Sequence, residues 1–325
     1  GLPQVVDLPT PPPPAAAPET TAAPAPAATA PPIPVSQAPW LQNGRVLLRY
    51  GGQPGEVLDY QARSEVRGNM TVLGQTLPLV VTTESGYRQE ILDNQNGRLS
   101  LRLTMDPVAI RQDGLPFSGP TPTAPAPLTL TMEPNGRITQ VEQPGGDEVV
   151  PVPGMPGGLT LDYRAITRQL SAAAFPAQPV AIGDTWRQNV SLPLGSGGAV
   201  EIDATCRLDG FEQLDGRPVA RIVTQLKAPL TMRLTDPGDG QPIANVGSLS
   251  GTVTSHFDPA AGALVRSRSD LDLRMTMSLA DGNSLKDLAG VPVLGDLAGK
   301  GGLTLQATGK VKQELSREQA SASGP

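Results

Sequence analysis

The chain has little of the chemistry that most enzymes and metal sites use. Its 325 residues include one cysteine, one histidine and only two tryptophans, four tyrosines and four phenylalanines. One cysteine excludes an intramolecular disulfide and any site built from several cysteines. One histidine excludes zinc motifs that need a histidine pair, and no Gly-x-Ser-x-Gly nucleophile elbow occurs. We therefore expect a protein that is not an enzyme and that needs no cofactor and no metal.

Long apolar runs and an excess of positive charge are also missing. No stretch of eighteen or more apolar residues occurs, so the sequence predicts no transmembrane segment. The formal net charge is −6. Proteins that bind nucleic acid usually present a basic surface, so nucleic acid is not an expected partner.

Proline and glycine are abundant, at 36 residues each. Residues 1–39 hold 13 of the prolines together with 10 alanines, and they contain no lysine or arginine. This composition predicts an extended linker, either a tail without a role or a spacer that lifts a domain off a surface. The chain starts at Gly1 without methionine, which suggests a processed, exported protein and, as a hypothesis, a lipid anchor just outside this chain.

From Trp40 onward, apolar and polar residues alternate with the period of two that is typical of half-buried strands. Leu99–Met105 and Leu271–Leu279 are clear examples, and Asn135-Gly136, Asn96-Gly97 and Asp215-Gly216 predict hairpin turns. We predict a β-rich domain over 40–315 and a polar tail over 316–325. Similar strand cores in 40–158 and 159–315 leave two explanations open, a duplicated half or chance similarity between alternating stripes.

One helix is expected between these halves. Tyr163, Ile166 and Leu170 follow helical spacing, Thr160 is a candidate N-cap, and Pro176 would end the helix. The predicted fold class is therefore mainly β: a large twisted antiparallel sheet, as a half-barrel or open barrel, with one principal helix packed on its apolar face.

The segment Phe175-Pro-Ala-Gln-Pro-Val-Ala-Ile-Gly-Asp-Thr-Trp186 carries a resemblance. It resembles an uncharacterised family of exported bacterial proteins and lipoproteins that contain a Pro-Val-x-x-Gly-Asp-x-Trp segment. This plan is similar to that of lipoprotein-carrier proteins, in which helices close a curved antiparallel half-barrel over an apolar cavity. The resemblance spans Leu159 to Leu192 and implies no catalytic residues.

Methionine provides the strongest remaining signal for a site, because it is adaptable and common on permissive apolar surfaces. Five methionines fall on the apolar faces of predicted strands, and Trp186 begins another strand. These side chains would either line a cavity for a lipid or fill an ordinary core beneath the helix. The candidate ligand-binding residues are Met105, Met132, Trp186, Met232, Met275 and Met277. We expect His256 to be a surface or hairpin residue and Cys206 to be a buried, inert thiol.

Two functions follow from these features. The first is a non-enzymatic, extracytoplasmic binding protein for an apolar ligand such as a lipid or acyl chain, spaced from the envelope by its N-terminal arm. The second is a structural or interaction protein of the cell surface that contacts partner proteins through its sheet edges or its arm. Both would place the protein in the periplasm or at the cell surface. A hydrolase ranks behind both.

Overall fold

A computed structural model of the chain describes 38–72, 74–113, 124, 126–142, 149–151, 160–162, 174–194, 198–235, 242–279 and 303–318. The N-terminal linker therefore falls outside the described residues, apart from its last two positions. Side chains at the far ends of several strands, such as 230–235 and 277–279, also lie outside the described part.

The described residues form strands and turns, without a helix. The strands are β1 (Leu41–Gln42), β2 (Arg45–Val46), β3 (Val57–Val72), β4 (Gln75–Gln95), β5 (Arg98–Met105), β6 (Ala109–Asp113), β7 (Leu128–Met132), β8 (Ile138–Glu142), β9 (Val149–Pro151), β10 (Thr160–Asp162), β11 (Val180–Ala181), β12 (Thr185–Leu194), β13 (Gly198–Leu214), β14 (Arg217–Thr235), β15 (Pro242–Asp258), β16 (Ala263–Leu279) and β17 (Leu303–Arg317).

One large antiparallel sheet dominates the fold. Its strands lie in the order β12-β13-β14-β15-β16-β17-β3-β4-β5-β7-β8, and β6 pairs with β4. The two ends of this order are not joined, so the sheet is open. Among the described strands, the only neighbours that are far apart in the sequence are β17 and β3, which pair from Arg317 opposite Tyr60 to Leu305 opposite Val72. The predicted large antiparallel sheet is confirmed.

The turns that join the strands have the predicted chemistry. Asn96 and Asp215 adopt φ angles of 54° and 50°, and each is followed by a glycine that also has positive φ. This left-handed pair is the type I′ geometry that matches the twist of a two-residue hairpin. Asn-Gly and Asp-Gly tolerate it because glycine lacks a Cβ and Asn and Asp side chains are short.

The predicted helix packed on the sheet is not supported. Thr160–Asp162, expected at its start, forms strand β10 and pairs with Val149–Pro151 of β9. The backbone groups of these three residues therefore hydrogen-bond to a neighbouring strand. The helical spacing of Tyr163, Ile166 and Leu170 could not reveal this pairing. Residues 163–173, the rest of the predicted helix, lie outside the described residues.

Glycines curve the large sheet. Gly68 of β3 lies opposite Gly309 of β17, and a Cβ built on Gly68 would collide with the carbonyl oxygen of Thr308. A Cβ on Gly247 would likewise collide with the carbonyl oxygen of Arg274 on β16. These Cβ positions face the apolar side of the sheet, so neighbouring backbones approach each other more closely on that side. Strand glycines of this kind allow a sheet to bend towards the side that they face, so we infer that the apolar side is concave and call it the concave side.

The compact core sits at one end of this concave side, which we call the core end. Within the described residues it comprises three clusters, centred on Phe257, on Leu99 and Ile91, and on Tyr60. A small sheet of β1, β2 and β11 covers the first cluster, where Val46 and Leu48 of the covering chain are fully buried. The hairpin turn at Leu214–Arg217 and the turn before Ala263 lie at this same end.

Candidate functional site

The other half of the concave side carries a second apolar surface, which we call the far apolar face. Its residues lie in cross-strand rows, for example Leu249 opposite Leu273 and Val66 opposite Val81. All of its apolar side chains are half-buried except that of Leu271, which is buried. The far apolar face comprises Leu226, Gly247, Leu249, Gly251, Leu271, Leu273, Met275, Ala307, Gly309, Val311, Val66, Gly68, Met70, Leu77, Leu79 and Val81.

The opposite, convex side of the same strands is charged. Lys310 pairs with Asp272 across β17 and β16 at 2.7 Å, and Arg268 pairs with Glu314 at 3.0 Å. These pairs are exposed and therefore contribute little to stability. Their place shows that β16 and β17 carry charged side chains on the side opposite to the far apolar face, as alternation requires.

The far apolar face differs from the core end in how it is covered. At the core end, the chain around Tyr50 crosses the concave side, where its amide donates to the carbonyl of Pro134 at 2.6 Å. Phe175 also reaches the turn of the β7–β8 hairpin, donating from its amide to the carbonyl of Asn135 at 2.8 Å. Within the described residues, no corresponding segment crosses the far apolar face.

The structure separates the predicted methionine set. Met132 is 7% exposed within the cluster centred on Leu99 and Ile91 at the core end, and Met105 packs partly buried against the same cluster. Met275 lies instead on the far apolar face, between Gly247 and Ala307 of the neighbouring strands. The positions of Met232 and Met277 both lie opposite Asn245, but their side chains are outside the described part.

Trp186 lies at the core end, opposite Cys206 on β13, and packs partly buried against the cluster centred on Phe257. Its indole nitrogen is buried without a hydrogen-bond partner. The sequence placed several leucines of the far apolar face on apolar strand faces, but its glycines were not among the predicted site residues. Glycine inside strands, as at Gly68 and Gly309, was the signal that could have pointed to it.

The Gly-Asp-x-Trp segment has a structural explanation in this fold. Gly183 has a φ of 92°, and the carboxylate of Asp184 accepts hydrogen bonds from the amide of Ala181 at 2.9 Å and the guanidinium of Arg45 at 3.3 Å. Asp184 thus fastens the turn before β12 to strand β2. The segment positions the small covering sheet over the core.

The single histidine and the single cysteine are both buried. His256 Nε2 lies 2.6 Å from a carboxylate oxygen of Glu212, and its Nδ1 is buried without a partner. Of the two expected placements, the surface one is wrong, because His256 is only 9% exposed, and the hairpin one holds, because it lies two residues before the end of β15 at the β15–β16 turn. Cys206 is 2% exposed, Thr224 donates a hydrogen bond to its sulfur at 3.3 Å, and burial raises the pKa of the thiol.

A separate pocket of about 500 Å³ opens at the core end, between the β13–β14 turn and the start of β3. Its lining mixes charges of both signs, including Arg217, Arg317, Glu56 and Asp215, with apolar groups such as Val265. Such a lining does not favour an apolar ligand, so the pocket is distinct in character from the far apolar face.

In the part of the chain that the structure describes, no group of three or more His, Cys, Asp or Glu side chains is placed to hold a metal ion. The same residues include no helix long and apolar enough to cross a membrane. No protein-family model matches the chain, and no curated protein is similar to it in sequence.

Proposed function

We propose that this protein is a non-enzymatic, extracytoplasmic binding protein for an apolar ligand such as a lipid or acyl chain. The observation that supports the proposal is the far apolar face, a concave surface of Leu, Val and Met side chains that are only partly removed from water. Contiguous apolar surface of this kind commonly marks a ligand or partner site.

A ligand on the far apolar face would complete the burial of side chains that are now only half-buried. Burying a Leu, Val or Met side chain fully is worth about 1.5–3 kcal/mol relative to leaving it exposed. Leu249 and Leu273 are only half-buried, so they contribute only part of this free energy. An acyl chain lying along the concave side would remove the remaining surface from water, and its own surface with it.

The Pro/Ala-rich composition of residues 1–39 supports the extracytoplasmic part of the proposal. The arm is rich in proline, which favours extended polyproline II, and it carries no lysine or arginine. It would hold the binding domain away from an envelope surface.

Native mass spectrometry and solvent extraction of the purified protein test whether lipid is bound. Binding of N-phenyl-1-naphthylamine, an uncharged apolar fluorophore, then measures the affinity of the emptied protein. Leu249→Asp places a charge on the far apolar face and should weaken fluorophore binding at least about tenfold. Ser248→Asp is the matched control, because Ser248 is the adjacent residue on β15 and faces the convex side. The affinity of this variant for the fluorophore should equal that of the wild type.

Ala307→Leu is a second variant that fills the concave side without adding charge. It should also weaken binding while thermal unfolding confirms a folded protein. A protein that carries no lipid and binds no fluorophore would contradict the proposal, as would equal losses in the Leu249 and Ser248 variants.

The alternative is a structural or interaction protein of the cell surface. Its support is that, in the described part of the chain, β12 and β8 each hydrogen-bond to one neighbouring strand only. An edge strand with free backbone groups can accept a strand from a partner. Analytical ultracentrifugation would favour this function if the protein assembled with rising concentration, and a constant monomer mass would count against it.

A further inference from the structure

A belt of hydroxyl side chains lies on the concave side between the core end and the far apolar face. Ser64 of β3 lies opposite Thr83 of β4, and Ser255 of β15 lies opposite Ser267 of β16. All members are half-buried. This hydroxyl belt comprises Thr224, Ser255, Ser267, Ser269, Ser64, Thr83 and Ser85, and Gln313 of β17 lies between Ser269 and Ser64.

Part of the belt has unused hydrogen-bonding capacity. The hydroxyls of Ser255 and Ser267 are 3.2 Å apart and share a hydrogen bond. The side chains of Ser64, Thr83 and Ser269 have no hydrogen-bond partner within the described part of the chain. Hydroxyls both donate and accept, so these groups can bind an alcohol, ester or amide of a ligand.

Among the described side chains, the concave side also carries no charge from the belt outward. None of the described side chains in the hydroxyl belt or the far apolar face is ionisable, and the Lys310–Asp272 pair lies on the convex side. A carboxylate or phosphate placed on the belt would lose hydration without gaining an opposite charge, which is costly. An uncharged polar group would lose hydration but regain hydrogen bonds.

We propose that the ligand is an uncharged lipid with a hydroxyl or ester head group, such as a monoacylglycerol. Its head group lies at the hydroxyl belt and its acyl chain runs along the far apolar face. The six residue steps from Ser64 to Met70 span about 20 Å along the strand, which is long enough for an extended acyl chain. The inference rests on the proposed function, since it identifies the class of ligand for the same surface.

Laurate and 1-lauroylglycerol are suitable probes because they share one acyl chain and differ in head-group charge at pH 8. Displacement of N-phenyl-1-naphthylamine from the full chain measures both affinities. We expect 1-lauroylglycerol to bind at least about tenfold more tightly than laurate, since hydrogen bonds are gained and no charge is desolvated.

The double variant Ser64→Ala, Ser269→Ala tests the belt itself. The double variant should lower the affinity for 1-lauroylglycerol by about tenfold or more and leave the affinity for laurate unchanged. Ser248→Ala, on the convex side, is the matched control and should alter neither affinity. Thermal unfolding checks that each variant is folded.

The outcomes separate the two proposals. If laurate binds as tightly as 1-lauroylglycerol, or if the double variant changes both affinities equally, the proposal of an uncharged head group is wrong. The proposal of a binding protein for an apolar ligand would then still stand. If neither probe nor the fluorophore binds, both proposals fail. The comparison of the two probes uses the unchanged protein, so it is decisive even if the double variant does not fold.

Discussion

Phe257 is the side chain whose removal should cost this protein most. It is fully buried at the core end, and its ring makes edge contacts with Tyr50, at a centroid distance of 5.3 Å, and with Phe175, at 4.9 Å. The two partners also stack on each other at 5.2 Å. Because Tyr50 and Phe175 both donate to the β7–β8 hairpin, this trio links β15 to the other half of the sheet.

The magnitude can be worked from these contacts. Truncating a buried phenylalanine to alanine typically costs about 3–5 kcal/mol, through lost burial and the cavity left behind. Each aromatic pair adds about 0.5–1.5 kcal/mol beyond area. Since Phe257 loses two such pairs, we expect Phe257→Ala at the upper end, about 4–5 kcal/mol. Phe257→Leu keeps most of the apolar volume and should cost about 1–3 kcal/mol.

Urea unfolding followed by tryptophan fluorescence measures this cost. Trp40 and Trp186 both pack against the same cluster, so their emission reports on its loss. The free energy of unfolding is obtained by linear extrapolation for the wild type and both variants. A loss of unfolding free energy below about 2 kcal/mol for Phe257→Ala, or equal losses for the two variants, would refute the reasoning that a tightly packed aromatic trio links β15 to the β7–β8 hairpin.

Three further predictions follow from other features of the fold. Gly68→Ala should destabilise by about 1–3 kcal/mol in the same assay, because its Cβ collides with a neighbouring backbone; Gly210→Ala, with open space around it, is the control, and equal costs would contradict the close approach. Cys206 should react with a thiol reagent at pH 8 far more slowly in the folded protein than in urea, because burial shields it and raises its pKa; equal rates would show an exposed thiol. Burial raises the pKa of Tyr50 to about 12 from 10.0, so the folded state holds this proton more tightly than the unfolded state. Stability from this group should be complete below pH 10 and fall as the pH rises to about 12, which unfolding at stepped pH would measure; Tyr50→Phe should flatten that slope, and an unchanged slope would contradict the assignment.

The sequence predicted the strands well because their signal is local. Alternation over Leu271–Leu279 and the Asn96-Gly97 and Asp215-Gly216 turns each depend on a few neighbouring residues, and all are found as expected. The failures have non-local causes. Thr160–Asp162 is a strand because Val149–Pro151, which lies outside the window of helical spacing, pairs with it, and His256 lies against Glu212 of another strand, which its neighbours in sequence do not reveal.

The candidate site was hard to predict for a related reason. Strand β15 presents Phe257, Ser255 and Leu249 on the same side, and alternation treats all three as equivalent inward positions. Their roles differ only in whether another segment of the chain covers them on the concave side. Val46 and Leu48 cover the core end near Phe257, whereas no described segment crosses above Leu249. A methionine stripe therefore could not distinguish core from ligand surface, and it combined Met132, which fills the core, with Met275, which lies on the far apolar face. Glycine and hydroxyl residues are more informative along these strands, because neither improves an apolar core. The glycines let neighbouring strands approach each other on the concave side, and the hydroxyls offer uncharged hydrogen bonds, which are the features that the proposed ligand surface would use.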